Sequence, residues 1–578
     1  MLSLVQMLEE RVGAALGAGA LVRRSDHADY QADGALPVAR ARDVAARDVA
    51  TSLRAALDGD DLVAAAEVAG PGFLNLRVAP RAVWSQVAAR CADPRLGVGT
   101  PLAGTRVVVD YSNPNIAKEM HVGHLRSTVI GDALCRGLRH LGAEVVRQNH
   151  TGDWGTPFGM LIAYLDEHPE AAYHDGSGEA SVSRLSALYK AARARFDTDP
   201  EFVAKAHGCL VALQAGDPAA TATWREIVAE SHRYFTEVYE LLGVELTERD
   251  AIGESFYNDA LAGIAADLET LGVARVSDGA LCVFFDGVTG RDGTPTPLIV
   301  RKSDGGYGYA VTDLAAVRHR VEHFKADRIW YVVDARQALH FRMVLDTARR
   351  AGWLPVEVET RHVSFGTVLG PDGRPFRSRD GDTVRLIGLL TEAVERAAAV
   401  VRDKSPDLGP DEVAPRARDV GIGAVKYADL AVSRTRDYVF DLDRMVSLSG
   451  NTSVYLQYAH ARTRSILRAS GADAADASGA EFDVDPALPI EDAERRLALR
   501  LDEFEEVLIS AVEAAEPHRL CAHLYEVAQA LTGFWDACPV LKAPAPAVRS
   551  NRLALCDLTA RTLATGLDLL GIAAPDRL

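Results

Sequence analysis

No Cys-x-x-Cys pair occurs in this chain. Its seven cysteines, at positions 91, 135, 209, 282, 521, 538 and 556, are scattered over 578 residues. That pattern supports neither a structural zinc site nor a disulfide framework, and it suits a reducing compartment, the cytoplasm. Long apolar runs are missing as well. No stretch reaches the length of a membrane span, and the opening MLSLVQMLEERVGAAL is an amphipathic helical pattern containing acids. It reads as neither anchor nor signal peptide, so no membrane partner is expected. An excess of basic residues is also lacking. The net charge is −18, which at first sight disfavours a nucleic-acid partner. The distribution says more than the total: residues 418–470 hold 8 basic against 5 acidic side chains, whereas residues 471–516 hold 3 against 14. A locally basic face can bind phosphate while the remaining surface is acidic, and ordinary solvated faces would give the same counts. The hydrophobic fraction of 48% is that of a folded protein. The length predicts three or four domains of about 100–200 residues each.

The chain is organised around VVVDYSNPNIAKEMHVGH, residues 107–124. Three valines predict a buried strand, and Ser112, Asn113, Pro114 and Asn115 end it in a turn. From Leu125 the apolar residues Leu125, Val129, Ala133, Leu134 and Leu141 follow a helical stripe. His121 and His124 therefore stand at a helix start, where unpaired N–H groups and a partial positive charge attract phosphate. Gly123 lets a flat ligand lie against the backbone.

A four-residue H-x-G-H match alone is weak, but its surroundings are specific. HVGH after a strand resembles the HIGH signature of class I aminoacyl-tRNA synthetases. SNPNIAKEMHVGHLRSTVIGDAL resembles the arginyl-tRNA synthetase form of it. The resemblance continues through QNHTGDWGTPFG (148–159), YAVTDLAAVRHR (309–320), YVVDARQALHF (331–341), FGTVLGPDGRPF (365–376) and NTSVYLQYAHAR (451–462). It covers nearly the whole chain in the family's order. At residue 157 this chain has proline where the family pattern commonly has glutamine.

The implied architecture is α/β: a Rossmann-like nucleotide-binding catalytic domain, an α+β N-terminal domain and an all-α C-terminal anticodon-binding domain. Residues 1–90 form the first unit, with helices at 2–16 and 44–57 and a hairpin of strands at 62–68 and 73–78. In the family this unit contacts the outer corner of tRNA. Phe73 and Asn75 stand where an aromatic and an amide meet a D-loop base; the other reading makes Phe73 a core residue and Asn75 a satisfied strand residue. Residues 91–105 read as a linker. The catalytic domain spans 106–362, with a helical insertion at about 160–270 and a polar break at 173–180. Strands are expected at 143–149, 280–285, 297–300 and 328–333, and a helix at 309–321. A further strand at 363–369 leads into a connecting region, 363–416, that opens with a basic loop. The loop resembles a degenerate KMSKS loop, with Arg374 and Arg377 in place of lysines. Residues 417–578 are helical, with Tyr455, Tyr458, His460, Arg462 and Arg464 on one helix; a plain bundle with core tyrosines is the other reading of that region.

The resemblance assigns His121, His124 and Lys118 to catalysis, and Gly123, His121, His124, Arg374 and Arg377 to ATP. It assigns Asp110, Asn113, Asn115, Tyr309, Asp313 and Gln337 to the amino acid, and Phe73, Asn75, Tyr455, Tyr458 and Arg462 to tRNA. A guanidinium offers five donors in a planar fork and pairs best with carboxylates, which suits Asp110 and Asp313. Tyr309 and Asp313 are four apart and share a helix face. The implied reaction joins arginine and ATP into arginyl adenylate, releases pyrophosphate and transfers arginine to the terminal ribose of tRNA(Arg). Mg²⁺ is carried by ATP, with no metal held by the protein itself, and the enzyme works as a monomer. The rival reading is a synthetase-like paralogue that delivers arginine to another acceptor or only binds it. Such a paralogue would be expected to lose the N-terminal unit and the helical C-terminal domain, and the sequence has both.

Overall fold

The computed structural model describes residues 1–171, 178–290, 293–370, 372–376, 384–404, 408–471 and 482–578. The predicted polar break at 173–180 falls mostly outside them, as does Arg377.

Five parallel strands form the central sheet. Their order across it is Glu359–His362, Arg328–Tyr331, Arg106–Asp110, Glu144–Thr151 and Ala251–Gly253. Chain order reverses beside Arg106–Asp110, and the crevice at such a switch point is where open α/β sheets bind ligands. Alternation along Arg106–Asp110 divides the core: Val107 and Val109 join the large cluster that includes the helix Val122–His140, while Val108 joins a second cluster under the helix Tyr309–Glu322.

The expected strand at 363–369 is corrected. The edge strand is Glu359–His362, and Val368–Leu369 instead pairs with Tyr438–Val439 in a separate two-stranded piece. The edge is half-exposed and built from Glu, Thr, Arg and His, so the apolar residues that follow it gave a stronger strand signal than the strand itself. The strand Ala251–Gly253 was not expected; three residues are too few to show a period. Before it, the helices Thr156–Glu167, Gly178–Phe196, Pro200–Gln214 and Pro218–Leu242 form the insertion. Pro157 lies in the first turn of the first of these, where a backbone N–H has no helical partner to lose.

The N-terminal unit has a four-stranded antiparallel sheet in the order Val22–Arg24, Tyr30–Ala32, Phe73–Val78, Val63–Ala69, two strands more than the sequence suggests. Leu74, Leu76 and Val78 face inward; Phe73, Asn75 and Arg77 share the outer face. This unit docks on the C-terminal helices through buried ion pairs: Arg90 with Asp502 at 2.8 Å and Arg495 with Asp29 at 2.7 Å. The C-terminal region packs Pro410–Leu430, Ser453–Ser470, Asp492–Asp502, Phe504–Glu513, His518–Ala537 and Pro546–Leu569. The first of these helices runs through residue 417, where the sequence suggested a boundary.

Candidate active site

The turn after Asp110 is strained. Ser112, Asn113 and Ala117 have φ of 76°, 51° and 60°, values that non-glycine residues rarely adopt. Three side chains hold it: Ser112 N donates to Ser127 Oγ (2.8 Å), Asn113 N to Asn149 Oδ1 (3.0 Å) and Ala117 N to Ser231 Oγ (3.0 Å). Such strain persists only where surrounding contacts over-determine the backbone.

His121 caps the helix that follows. Its Nδ1 accepts from Gly123 N at 3.0 Å, and His124 Nδ1 accepts from His121 N at 3.0 Å. Any side chain at 123 would collide with the His121 ring, since a Cβ there would lie 2.8 Å from its Cε1. With both Nδ1 atoms accepting, the assigned tautomer places the protons on Nε2, leaving two N–H donors at the helix start. The rings lie 4.0 Å apart. Burial lowers the pKa of both, with Arg336 and Lys118 adding to the effect on His121; His124, also beside His121 and Lys118, falls to about 3. Both imidazoles are therefore neutral donors at ordinary pH.

Lys118 does not face open solvent beside them. Its Nζ lies 4.7 Å from the centre of the Tyr189 ring, on the insertion helix. Its neighbour Glu119 accepts from Ser183 Oγ at 2.5 Å and pairs with Arg385 at 3.2 Å. Leu386 N donates to Met120 O at 2.9 Å. The signature turn, the insertion and the segment after the basic loop thus meet at one place. Arg374 is exposed at the tip of a tight hairpin closed by Gly370 N to Arg374 O (2.8 Å).

The amino-acid side differs from the sequence expectation in two residues. Asp110 is buried, and both its oxygens are taken: Arg320 NH2 donates to Oδ2, and Asn113 Nδ2 donates to Oδ1 at 2.6 Å. Asn113 Oδ1 in turn accepts from His150 N at 2.8 Å. Both side chains thus make hydrogen bonds inside the fold that the sequence alone does not show. Asp313 is half-buried and accepts from His340 Nε2 at 2.6 Å. The His340 ring lies 5.1 Å from that of Tyr309, which is 67% exposed. Gln337 is exposed three residues before His340, and Asn115 is exposed beside Gly152. So Tyr309, Asp313 and Gln337 gather around His340, a residue the sequence reading passed over although it lies in the quoted motif.

Glu254 was missed too. It follows the short strand Ala251–Gly253, between two pinned neighbours. Only glycine at 253 leaves room for Asp153, whose carboxylate accepts from Ser255 N (2.8 Å) and Oγ (2.6 Å). Burial, with Asp313 and Asp153 nearby, raises the Glu254 pKa to about 7. Glu254 thus lies within electrostatic reach of Asp313, and a cation beside it would favour its charged form.

On the C-terminal helix Ser453–Ser470, Tyr458 and Arg462 are exposed and Tyr455 is half-buried. The Arg462 guanidinium lies 4.6 Å from the centre of the Trp535 ring, and Tyr455 lies 5.6 Å from Tyr525. His460 and Arg464 instead hold the chain's end, at Pro575 O (3.1 Å) and Asp576 (3.1 Å).

Residues 98–442 match the family model for tRNA synthetases class I (R), catalytic domain. With the parallel sheet and two imidazoles at the helix start beside its switch point, they form the catalytic core of a class I aminoacyl-tRNA synthetase. Residues 6–78 match the arginyl tRNA synthetase N terminal domain, and residues 456–578 the DALR anticodon binding domain. The chain is 56% identical to the arginine–tRNA ligase of Frankia casuarinae over 589 residues, covering 100% of this chain and 99% of that one. It is 53% identical to that of Streptomyces coelicolor, covering 98% and 96%. The Thermus thermophilus arginyl-tRNA synthetase structure superposes with a TM-score of 0.80 at 26% identity, over 99% of this chain and 100% of that one. The chain belongs to the arginyl-tRNA synthetase family.

Proposed function

We propose that this chain is an arginine–tRNA ligase that activates L-arginine with ATP and transfers it to tRNA(Arg). In the first step an arginine carboxylate oxygen attacks the α-phosphorus of ATP, and pyrophosphate leaves. His121 and His124 donate from Nε2 to phosphate oxygens as charge builds on them, with helix N–H groups beside them. In the second step a hydroxyl of the terminal tRNA ribose attacks the adenylate carbonyl, and AMP leaves. Arginine lies with its guanidinium between Asp313 and Glu254, its stem against Tyr309 and its α-amino group toward Asn115 and Gln337.

Among the described residues no group of three or more His, Cys, Asp or Glu side chains could hold a metal ion. The donors at the phosphate end are N–H groups, which suit phosphate oxygen. Mg²⁺ enters with ATP, as part of that substrate, and supplies charge compensation on the phosphates. Lys118 moves from Tyr189 to the phosphates, and Arg374 and Arg377 close over the triphosphate. The outer face bearing Phe73 and Asn75, with the half-buried Tyr455 and the exposed Tyr458 and Arg462, carries the tRNA. The enzyme acts as a monomer in the cytoplasm.

The observation that supports this reading is the pair of imidazole donors at the helix start beside the switch point of the sheet, with Glu254 within electrostatic reach of Asp313. Retention of both tRNA-binding regions weighs against a paralogue acting on another acceptor. Aminoacylation of total tRNA with each amino acid in turn tests it: arginine alone should be charged. Charging of another amino acid, or arginine activation without transfer to any tRNA, would overturn it.

A further inference from the structure

The buried Arg320 has no place in the reaction so far. It lies on the helix Tyr309–Glu322, two and three turns beyond Asp313 and Tyr309, and is 1% exposed. Tyr331, Asp110 and Gln148 are register neighbours on three adjacent strands, and its guanidinium spans that row. It donates to Asp110 Oδ2, its Nε lies 3.4 Å from Gln148 Oε1, and its carbon stands 5.2 Å from the centre of the Tyr331 ring. From Asp110 the bonds continue through the Asn113 amide to His150 N. One unbroken path therefore runs from the helix bearing Asp313 to the strained turn that leads into His121.

We infer that Arg320 is a positioning residue that fixes the amino-acid helix against the signature turn, so that the arginine carboxylate and the α-phosphate meet in line. The planar fork matters here. Lysine would keep the charge but cannot pair Asp110 while lying flat on Tyr331 and reaching Gln148. Asp110 serves as the protein's own guanidinium holder, which leaves Asp313 and Glu254 for the substrate. In-line attack tolerates little misplacement, since a shift of about 1 Å costs roughly 10²-fold in rate.

The inference rests on the proposed arginine pocket, and its test is a double-mutant cycle in the full chain with tRNA present. Arg320→Lys, Asn113→Ala and their combination are compared, with rates normalised to active sites counted from single-turnover adenylate formation. Each single variant should raise the KM for arginine and lower kcat, each by roughly tenfold, while the KM for ATP stays within about twofold. Because the two residues act through one path, the combined variant should lose little more than the worse single one. If Arg320→Lys does not fold, Asp110→Asn, nearly identical in shape, takes its place in the cycle. Losses that multiply, or a lowered Tm with unchanged constants per active site, would reduce Arg320 to a packing residue. Failure of the wild-type chain to charge arginine would instead remove the pocket assignment on which the path depends.

Discussion

The helix start at His121–His124 and the acid cluster around Asp313 lie at the same edge of one sheet, yet burial does opposite things to them. At the phosphate end it strips charge from two bases, leaving neutral N–H donors. At the amino-acid end it favours protonation of Glu254, leaving an acid that regains full charge only when a cation compensates it. The contrast matches the two ligands. Neutral donors bind ground-state ATP modestly and gain strength as negative charge grows in the transition state, which raises turnover. The acids meet a cation whose charge does not change during reaction, so their contribution is to binding and selectivity.

The strongest way to break this contrast is Asp313→Asn. A guanidinium short of its carboxylate in a half-buried pocket loses about 3–5 kcal/mol, roughly 10²–10⁴-fold in arginine affinity. ATP binding should persist, and calorimetry with arginine alone measures the loss; unchanged affinity would place the pocket elsewhere. His121→Ala or His124→Ala should act on the other side. Pyrophosphate exchange should slow by about 10²-fold with arginine affinity nearly constant, the scale of losing one donor to a developing oxyanion. A large change in arginine KM with little in kcat would erase the distinction between the two ends.

Lys118 stands between them, stacked on Tyr189. Exchange is expected to be negligible with arginine alone and to appear with cognate tRNA, because bound tRNA shifts the site toward its competent state. Lys118→Ala should then remove most exchange, about tenfold, with a smaller effect from Arg377→Ala, on the scale of one exposed charge-assisted contact. Robust exchange without tRNA would show that the lysine needs no release. The mildest effect concerns pH. Glu254 must be ionised to pair with the guanidinium, which stays protonated throughout, so the KM for arginine should fall as pH rises through about 7. The change should be several-fold, at most about tenfold per pH unit for one proton. Glu254→Gln should flatten the profile; a slope surviving that substitution would remove Glu254 from the pH dependence.

Much of the phosphate end was legible in the sequence because its signals are local. Val107–Val109, the turn residues, Gly123 and the two histidines lie within eighteen positions, and each carries its own conformational preference. The amino-acid end is assembled from segments far apart in sequence. Glu254 follows a three-residue strand that exists only because Asn149–Thr151 pairs with it. Asp110 looked like a substrate ligand because nothing in its neighbourhood shows that Arg320, 210 positions away, already occupies it. Arg320 has no local mark as a helix residue, and only the register of three strands gives it meaning. The edge at Glu359–His362 was displaced for a related reason: a polar strand borrows its pairing from Arg328–Tyr331.

The buried pairs between the N-terminal unit and the C-terminal helices have a consequence for how the chain is made. Arg90 waits for Asp502 and Asp29 for Arg495, separations of 412 and 466 residues. At roughly 5–20 residues per second of synthesis, each partner emerges about 20–90 s after the other. Until then Arg90 and Asp29 stay solvated, beside apolar residues of the first 90 that later join one core with the C-terminal helices. Closure of the two ends therefore waits until the last part of the chain has been made.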